Sequence, residues 1–272
     1  MTAIGATLPG AARTRTGGPL ANQPVSDDGA TVGRTGVRAR LRDVVVLTRR
    51  NLVHIAREPL QLSDVTIQPV LFTLLFVYVF GSGVPLAGGY KQFAIAGLML
   101  LNLTTSAMGT AVGLITDLTT GAIDRFSTLP MWRSAVLVGR SMADLLSSAI
   151  CVLIVALTGL AIGWRPHGGI GMILAGFGVA LFFSYALAWA CACLGVVSKG
   201  PESAQGIGLI ILFPLAIVSN AMVPTAHMPG WMQAIANWNP VSAVTAAVRH
   251  LFDNPNPSAT VHAWPMQHPV VA

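Results

Sequence analysis

Charge is what this sequence has least of. Only 10% of its 272 residues are Asp, Glu, Lys or Arg, against about 25% in an ordinary soluble domain. With 53% hydrophobic residues and a mean hydropathy of +0.67, that shortage excludes a water-soluble globule. It also excludes disorder over most of the length, which needs a polar composition. Cysteine is scarce too. Cys151, Cys191 and Cys193 all fall in apolar runs, so they read as small packing residues and not as a disulfide scaffold. The two lysines are followed by the wrong neighbours, Lys91 by Gln92 and Lys199 by Gly200. A Gly-xxxx-Gly-Lys-Ser/Thr phosphate loop is therefore absent, and any ATP hydrolysis must occur on another chain. No Gly-x-Ser-x-Gly elbow occurs, and the six histidines lack the helical spacing with glutamate that holds zinc. No catalytic residue and no metal ligand are assigned.

What is present is a series of apolar runs. They extend from about Val65 to Gly83, Phe93 to Thr116, near Leu145 to Trp164, Ile170 to Val197, and Ile207 to about Val223. Each approaches or exceeds the roughly 20 residues that cross a bilayer core as a helix. The expected fold is an all-α membrane protein with five transmembrane helices. Pro214 predicts a kink in the fifth. Residues 1–40, rich in Gly, Thr, Ala, Pro and Arg and lacking an apolar signal core, read as a disordered cytoplasmic tail. Residues 41–58 place Leu41, Val45, Thr48, Leu52 and Ile55 on one helical face and Arg42, Arg49, Arg50 and Arg57 on another. That pattern predicts an amphipathic helix in the membrane interface, ended by Glu58-Pro59.

The net charge of +6 is concentrated, with nine basic residues in the first 57 positions. Beside apolar spans, this is a juxtamembrane flank and not a nucleic-acid surface. With the N-terminus in the cytoplasm, the inner segments hold thirteen basic residues. The outer ones hold three: Lys91, Arg165 and Arg249. The positive-inside rule therefore predicts an N-in, multi-pass protein of the cell membrane. The apolar centres of the runs carry no ionisable residue, which weighs against an ion-coupled pump. Asp117, Arg140 and Asp144 read as cytoplasmic ends of spans. Gln68, Asn102, Thr104, Thr105 and Ser106 are the polar groups nearest a pathway, of which Gln68, Asn102 and Thr105 are the candidates. Hydrogen bonding between helices is the plainer role for such groups. Gly109-xxx-Gly113 and Gly159-xxx-Gly163 have the spacing of close helix contacts. Trp231, Ile235 and Trp238 share one helical face, and residues 241–252 form a second short apolar helix. Both suit the outer leaflet.

The loop from Asp117 to Asp144 concentrates charge in a chain that has little. Phe126, Leu129 and Trp132 recur among its charges as a hydrophobic stripe facing the cytoplasm, a surface with something to bury. The run Gly121, Asp124-Arg125-Phe126, Leu129-Pro130, Arg133, Val138-Gly139-Arg140 and Asp144 resembles the signature loop of type-2 ABC transporter permeases. The resemblance is strongest to the daunorubicin and multidrug-resistance branch. A second match lies in Met222-Val223-Pro224, Met228-Pro229-Gly230-Trp231, Asn239-Pro240-Val241-Ser242 and Ala247-Val248-Arg249. The resemblance covers residues 41–272 and implies the permease half of an ABC exporter. It implies that Gly121, Asp124, Arg125, Phe126, Leu129 and Pro130 form a coupling region that docks on a separate ATPase subunit, which binds ATP and magnesium. It further implies that the basic helix at 41–58 lies against that ATPase, and that a second permease protomer completes the pathway. The family normally carries a sixth span, which the proline-rich residues 253–272 do not supply. An ion-coupled carrier and a non-transporting membrane scaffold are the alternatives.

Overall fold

A computed structural model describes residues 45, 46, 48, 49, 53, 59–81, 83, 89–120, 135–225 and 228–256. The tail at 1–40 lies outside these residues. Among them the fold is all α, and four helices are long and apolar enough to cross a membrane. The first, α1, spans Pro59–Leu75 and continues through one π-helical turn, Phe76–Phe80. Then come α2 (Tyr90–Thr119), α3 (Ala135–Ala161) and α4 (Ile170–Val197). They run alternately toward and away from the segment that joins α2 to α3, here called the loop side. A shorter apolar helix, α5 (Pro201–Ile217), follows, and then α6 (Gly230–Trp238) and α7 (Pro240–Leu251) on the far side.

The fifth apolar run differs from its expected bounds. It starts at Pro201, a residue preorganised for a first helical turn, and stops at Ile217. Its 17 residues reach about 26 Å, short of the roughly 30 Å hydrocarbon core. Pro214 sits in the last turn, where it offers no N–H to the Ile210 carbonyl one turn back while its own carbonyl accepts the Val218 N–H at 2.8 Å. Residues 218–221 then turn inward, burying Ser219, Asn220 and Ala221.

Helix α2 is the axis of the bundle. It is buried without interruption from Phe93 to Thr104 because α3, α4, α5 and α7 surround it. Lipid tails compete well for apolar surface, so helices in a bilayer associate through small residues that let backbones approach. Helix α4 supplies such a row, Gly176, Ala180, Ser184, Ala188, Cys191 and Gly195, and these are its buried residues. Helix α5 does the same with Ala204, Gly208, Leu212 and Ala216. A side chain at Gly195 would meet the Ala111 backbone, and one at Gly208 would meet Met108. The two expected glycine pairs resolve differently. Gly109 faces open space, whereas Gly113 makes room for the Arg140 guanidinium. Gly159 packs on Ile95 and Trp164, and Gly163 terminates α3 at φ 94°.

Buried polar contacts close the far side. Asn239 caps α7 by accepting from the Val241 N–H at 2.8 Å. Its amide donates to the Leu215 and Val218 carbonyls, both at 2.7 Å, near the end of α5, where helical carbonyls lack donors. The Ser242 hydroxyl accepts from the Asn220 N–H at 2.8 Å. Arg249 was counted among the outer basic residues, yet it is 0% exposed. Its Nε donates to the Phe93 carbonyl at 3.0 Å, and Nη1 donates to Asn220 Oδ1 at 2.9 Å. Nη2 donates to the carbonyls of Asn220 and Ala221 at 2.8 and 2.9 Å. The guanidinium carbon stands 3.6 Å from the Phe93 ring centroid, a cation–π contact. Burial pushes the Arg249 pKa down to about 9, which leaves it protonated at neutral pH. By contrast, Trp231, Ile235 and Trp238 of α6 share an exposed face, as their spacing predicts.

Replacing Arg249 by Ala strands four acceptors in a dry site. The expected loss is at least about 3 kcal/mol, since hydrogen bonds to a charged group contribute about 1.5–3 kcal/mol each. Thermal unfolding of the detergent-solubilised chain measures it. Arg249→Lys recovers only part, because an ammonium cannot reproduce the planar fork.

Candidate functional site

Between α1, α2, α3 and α4 lies a cavity of about 770 Å³. Gln68 of α1 and Asn102 and Thr105 of α2, the three candidate pathway residues, all line it. Helix α2 meets the cavity with a polar and small-residue stripe at helical spacing: Asn102, Thr105, Gly109, Gly113 and Asp117. Helix α3 meets it with Arg140, Asp144 and Ser148, each one turn beyond the last. Ser184, halfway along α4, closes the deep end by sharing a 3.0 Å hydrogen bond with Ser148.

The polar groups of α2 serve a different purpose from the one expected. Asn102, Thr104, Thr105 and Ser106 make no hydrogen bond to another helix among the described residues. Asn102 donates to the Leu98 carbonyl at 2.8 Å and Thr104 to Leu100 at 2.8 Å. Thr105 reaches Leu101 at 3.1 Å and Ser106 reaches Leu103 at 3.1 Å. Each satisfies its own helix one turn back. Gln68 makes no hydrogen bond to another described residue, and it is half-buried at the cavity wall.

The charged groups also lie deeper than hydropathy suggests. Arg140 and Asp144 were expected at the end of a span beginning near Leu145. Helix α3 begins at Ala135, and its membrane-length apolar stretch begins at Val138. Both charges therefore fall inside the stretch. Arg140 Nη1 pairs with Asp117 Oδ2 at 2.6 Å, reaching across α2 at Gly113. Arg140 Nε is buried without a partner. Asp144 Oδ2 accepts from the Thr110 hydroxyl at 2.9 Å. These two contacts tie α2 to α3 at the loop-side part of the cavity. Asp64, exposed on α1, lies on the rim.

Thr110, Arg140, Asp144, Ser148 and Ser184 were not singled out as site residues. The i, i+4, i+8 spacing of Arg140, Asp144 and Ser148 was the legible signal. It is lost when a helix is read only as far as its apolar window. The coupling residues Gly121, Asp124, Arg125, Phe126, Leu129 and Pro130 lie outside the described residues, between the ends of α2 and α3. So do Arg42, Arg50 and Arg57. Positions 45, 46, 48, 49 and 53 are helical, with Arg49 exposed. The Thr48 hydroxyl donates to the Gly139 carbonyl at 3.2 Å, which fixes this N-terminal helix to the start of α3. Among the described residues, no group of three His, Cys, Asp or Glu side chains is placed to hold a metal.

Residues 42–252 match the ABC-2 type transporter family. The chain is 35% identical over 236 residues to the daunorubicin resistance ABC transporter permease protein DrrB1 of Streptomyces coeruleorubidus. That alignment covers 84% of this chain and 82% of the relative. It is 23% identical to the probable doxorubicin resistance ABC transporter permease protein DrrC of Mycobacterium tuberculosis, over 79% of each chain. It is 22% identical to the putative transport permease ycf38 of Porphyra purpurea, over 79% of this chain and 75% of the relative.

The room at Gly113 gives a direct check of the α2–α3 tie. Gly113→Val drives the guanidinium off Asp117, with an expected loss of about 1–3 kcal/mol from overpacking. In an Arg140→Ala background the same change costs much less, and the resulting non-additivity in thermal melts measures the coupling.

Proposed function

The chain belongs to the ABC-2 type transporter family and is an ABC transporter permease, a multi-pass membrane protein; on that premise we propose that it drives export through force received from a separate ATPase subunit. The observation that carries this reading is the position of the cavity. Its lining includes Asp117 near the end of α2 and Arg140 near the start of α3, the two helices that flank residues 121–134 in the sequence. The chain has no phosphate loop of its own, so the ATPase that binds ATP and magnesium is a partner.

In this reading Phe126 and Leu129 bury apolar contact in a groove of the ATPase. Asp124 and Arg125 set orientation through charge, and Gly121 and Pro130 shape the turn. The N-terminal helix with Arg42, Arg49, Arg50 and Arg57 lies at the cytoplasmic interface of the plasma membrane, beside the same partner. When the ATPase subunits close on ATP, they draw the coupling regions of two permease protomers together. The loop-side ends of α2 and α3 then move as one unit, because Arg140–Asp117 and Thr110–Asp144 tie them. The cavity walls shift, and an amphipathic drug or lipid-like molecule passes to the outer side. The drug-resistance names of two relatives support that substrate range.

Co-expression with a candidate ABC ATPase subunit tests the assignment. Phe126→Asp and Leu129→Asp are each expected to weaken co-purification roughly tenfold or more, as buried apolar anchors do when charged. Efflux stops with them and with ATP depletion. An intact complex carrying both substitutions overturns the docking assignment. Efflux that follows an ion gradient and survives ATP depletion identifies an ion-coupled carrier instead.

A further inference from the structure

The far side carries a second conclusion, which rests on the chain's spanning a membrane and not on its cargo. In the N-in reading the outer segments hold three cations, Lys91, Arg165 and Arg249, and a single acid, Asp253. Arg249 is sealed inside the protein among its carbonyls. The other two are far apart in the chain and both exposed. The fold holds them at one corner, where the first turn of α2 meets the loop between α3 and α4.

Two contacts make that corner. The Gln92 amide donates to the Arg165 carbonyl at 3.1 Å and accepts from the Arg165 N–H at 3.3 Å. Lys91 Nζ donates to the Ile162 carbonyl at 3.2 Å, at the end of α3, where carbonyls lack helical donors. The rest of the loop is anchored as well. Trp164 is buried beside Phe252, and the His167 and Gly168 N–H groups donate to the Phe252 carbonyl at 3.0 and 3.3 Å. Arg165 thus stands on a backbone held from both sides.

Capping α3 is the plain role of Lys91, and it uses one of the three donors of an ammonium. The Tyr78 ring, 6.0 Å from Nζ to its centroid, takes none of them. The Arg165 guanidinium makes no ion pair or hydrogen bond with another described residue. No side chain caps the N-terminus of α2, so its first N–H groups add positive potential at the same corner. Lipid-facing apolar surface borders it: Phe80 at the end of α1, Leu160 near the end of α3 and Ile170 at the start of α4 are exposed. Unspent cationic donors beside such surface suit a phosphate whose acyl chains lie along the helices.

We propose that Lys91 and Arg165 bind the phosphodiester of an anionic lipid in the far-side leaflet, such as phosphatidylglycerol, and that this resident lipid staples the first turn of α2 to the α3–α4 loop. A zwitterionic headgroup carries its own cation beside the phosphate and gains less from the pair.

The test uses the full chain in phosphatidylcholine nanodiscs. Exposed Cys193 is replaced by Ser, and Gly169→Cys, a position with open space around it, carries a bimane fluorophore. Phosphatidylglycerol or phosphatidylcholine bearing a doxyl group on an acyl chain is added in equal amounts, and quenching reports which lipid gathers there. The anionic lipid is expected to be enriched about tenfold or more, since each cation near a membrane surface supplies about fivefold. Lys91→Gln and Arg165→Gln each remove about fivefold, and the double variant leaves the two lipids equal. Lys91→Arg and Arg165→Lys keep the charge and the preference. Lys199→Gln, on the loop side, leaves it unchanged. Equal quenching by the two lipids in the chain with Lys91 and Arg165 intact overturns the proposal. So does a preference that survives the double substitution in a folded chain. Inorganic phosphate at matched ionic strength is expected to leave the preference in place; if it abolishes it, free phosphate is the ligand and the lipid assignment falls. No ATPase takes part, so failure here leaves the export reading standing, and absent efflux leaves this one standing.

Discussion

The fold depends on a buried cation that pairs with no carboxylate among the described residues. Arg249 places its guanidinium where no solvent reaches and spends its donors on three backbone carbonyls and one amide oxygen. That arrangement fixes three things at once. It holds α7 against the first turn of α2 through Phe93. It holds the 218–221 turn through Asn220 and Ala221. It also sets the distance between the two, since Gly97 of α2 lies so close to the Ala221 carbonyl that a side chain there has no room. Shortening α5 to 17 residues is tolerable only because this turn is caught from two sides, by Arg249 and by Asn239. The motif Asn239-Pro240-Val241-Ser242 and the arginine ten residues after Asn239 thus have one physical role, to satisfy the polar backbone that a helix ending inside the protein exposes.

The two sides of the bundle are built from different interactions. The far side is held by fully buried hydrogen bonds and by aromatic packing, with Trp164 and Phe252 edge to face at 5.5 Å. The loop side is held by an ion pair whose side chains are 23% and 37% exposed, and by one hydroxyl–carboxylate contact. Partly exposed pairs contribute less to stability than fully satisfied buried networks. Helix α2 runs through both regions, and the cavity lies along its length.

The sequence foretold the class of fold and much of the organisation, for reasons that can be located. Long apolar runs must be helices in lipid because the backbone has no other way to satisfy itself. That logic found α1 to α4. It failed at boundaries wherever a helix continues past its apolar window. Asp144 was placed at an end because hydropathy discards charged residues, yet about two and a half turns of α3 lie beyond it toward the loop. The glycine pairs were legible as sites of close approach but not as to what approaches: an arginine at Gly113, nothing at Gly109. Arg249 reads from sequence as an outer charge near the end of a short helix, since nothing in that helix announces the carbonyls that collect around it from residues 93, 220 and 221. Contacts between positions so far apart in the chain are set by the bundle and cannot be read from local pattern.

The same limit explains why the character of the cavity was hidden. Gln68, Asn102 and Thr105 were visible as polar residues in apolar company, and the structure brings them to one wall. Their composition alone suggests a neutral, mixed lining. What a hydroxyl offers to a neighbour depends on where its proton is already committed, and in α2 the helix itself takes it. A serine or threonine in a membrane helix is thus an acceptor facing outward whenever it bonds one turn back. The polarity of such a pathway is a property of the hydrogen-bond assignments and not of the residue list. By that measure the serine and threonine hydroxyls of this cavity leave it lone pairs, whereas Gln68 and the Arg140 Nε keep donors to offer.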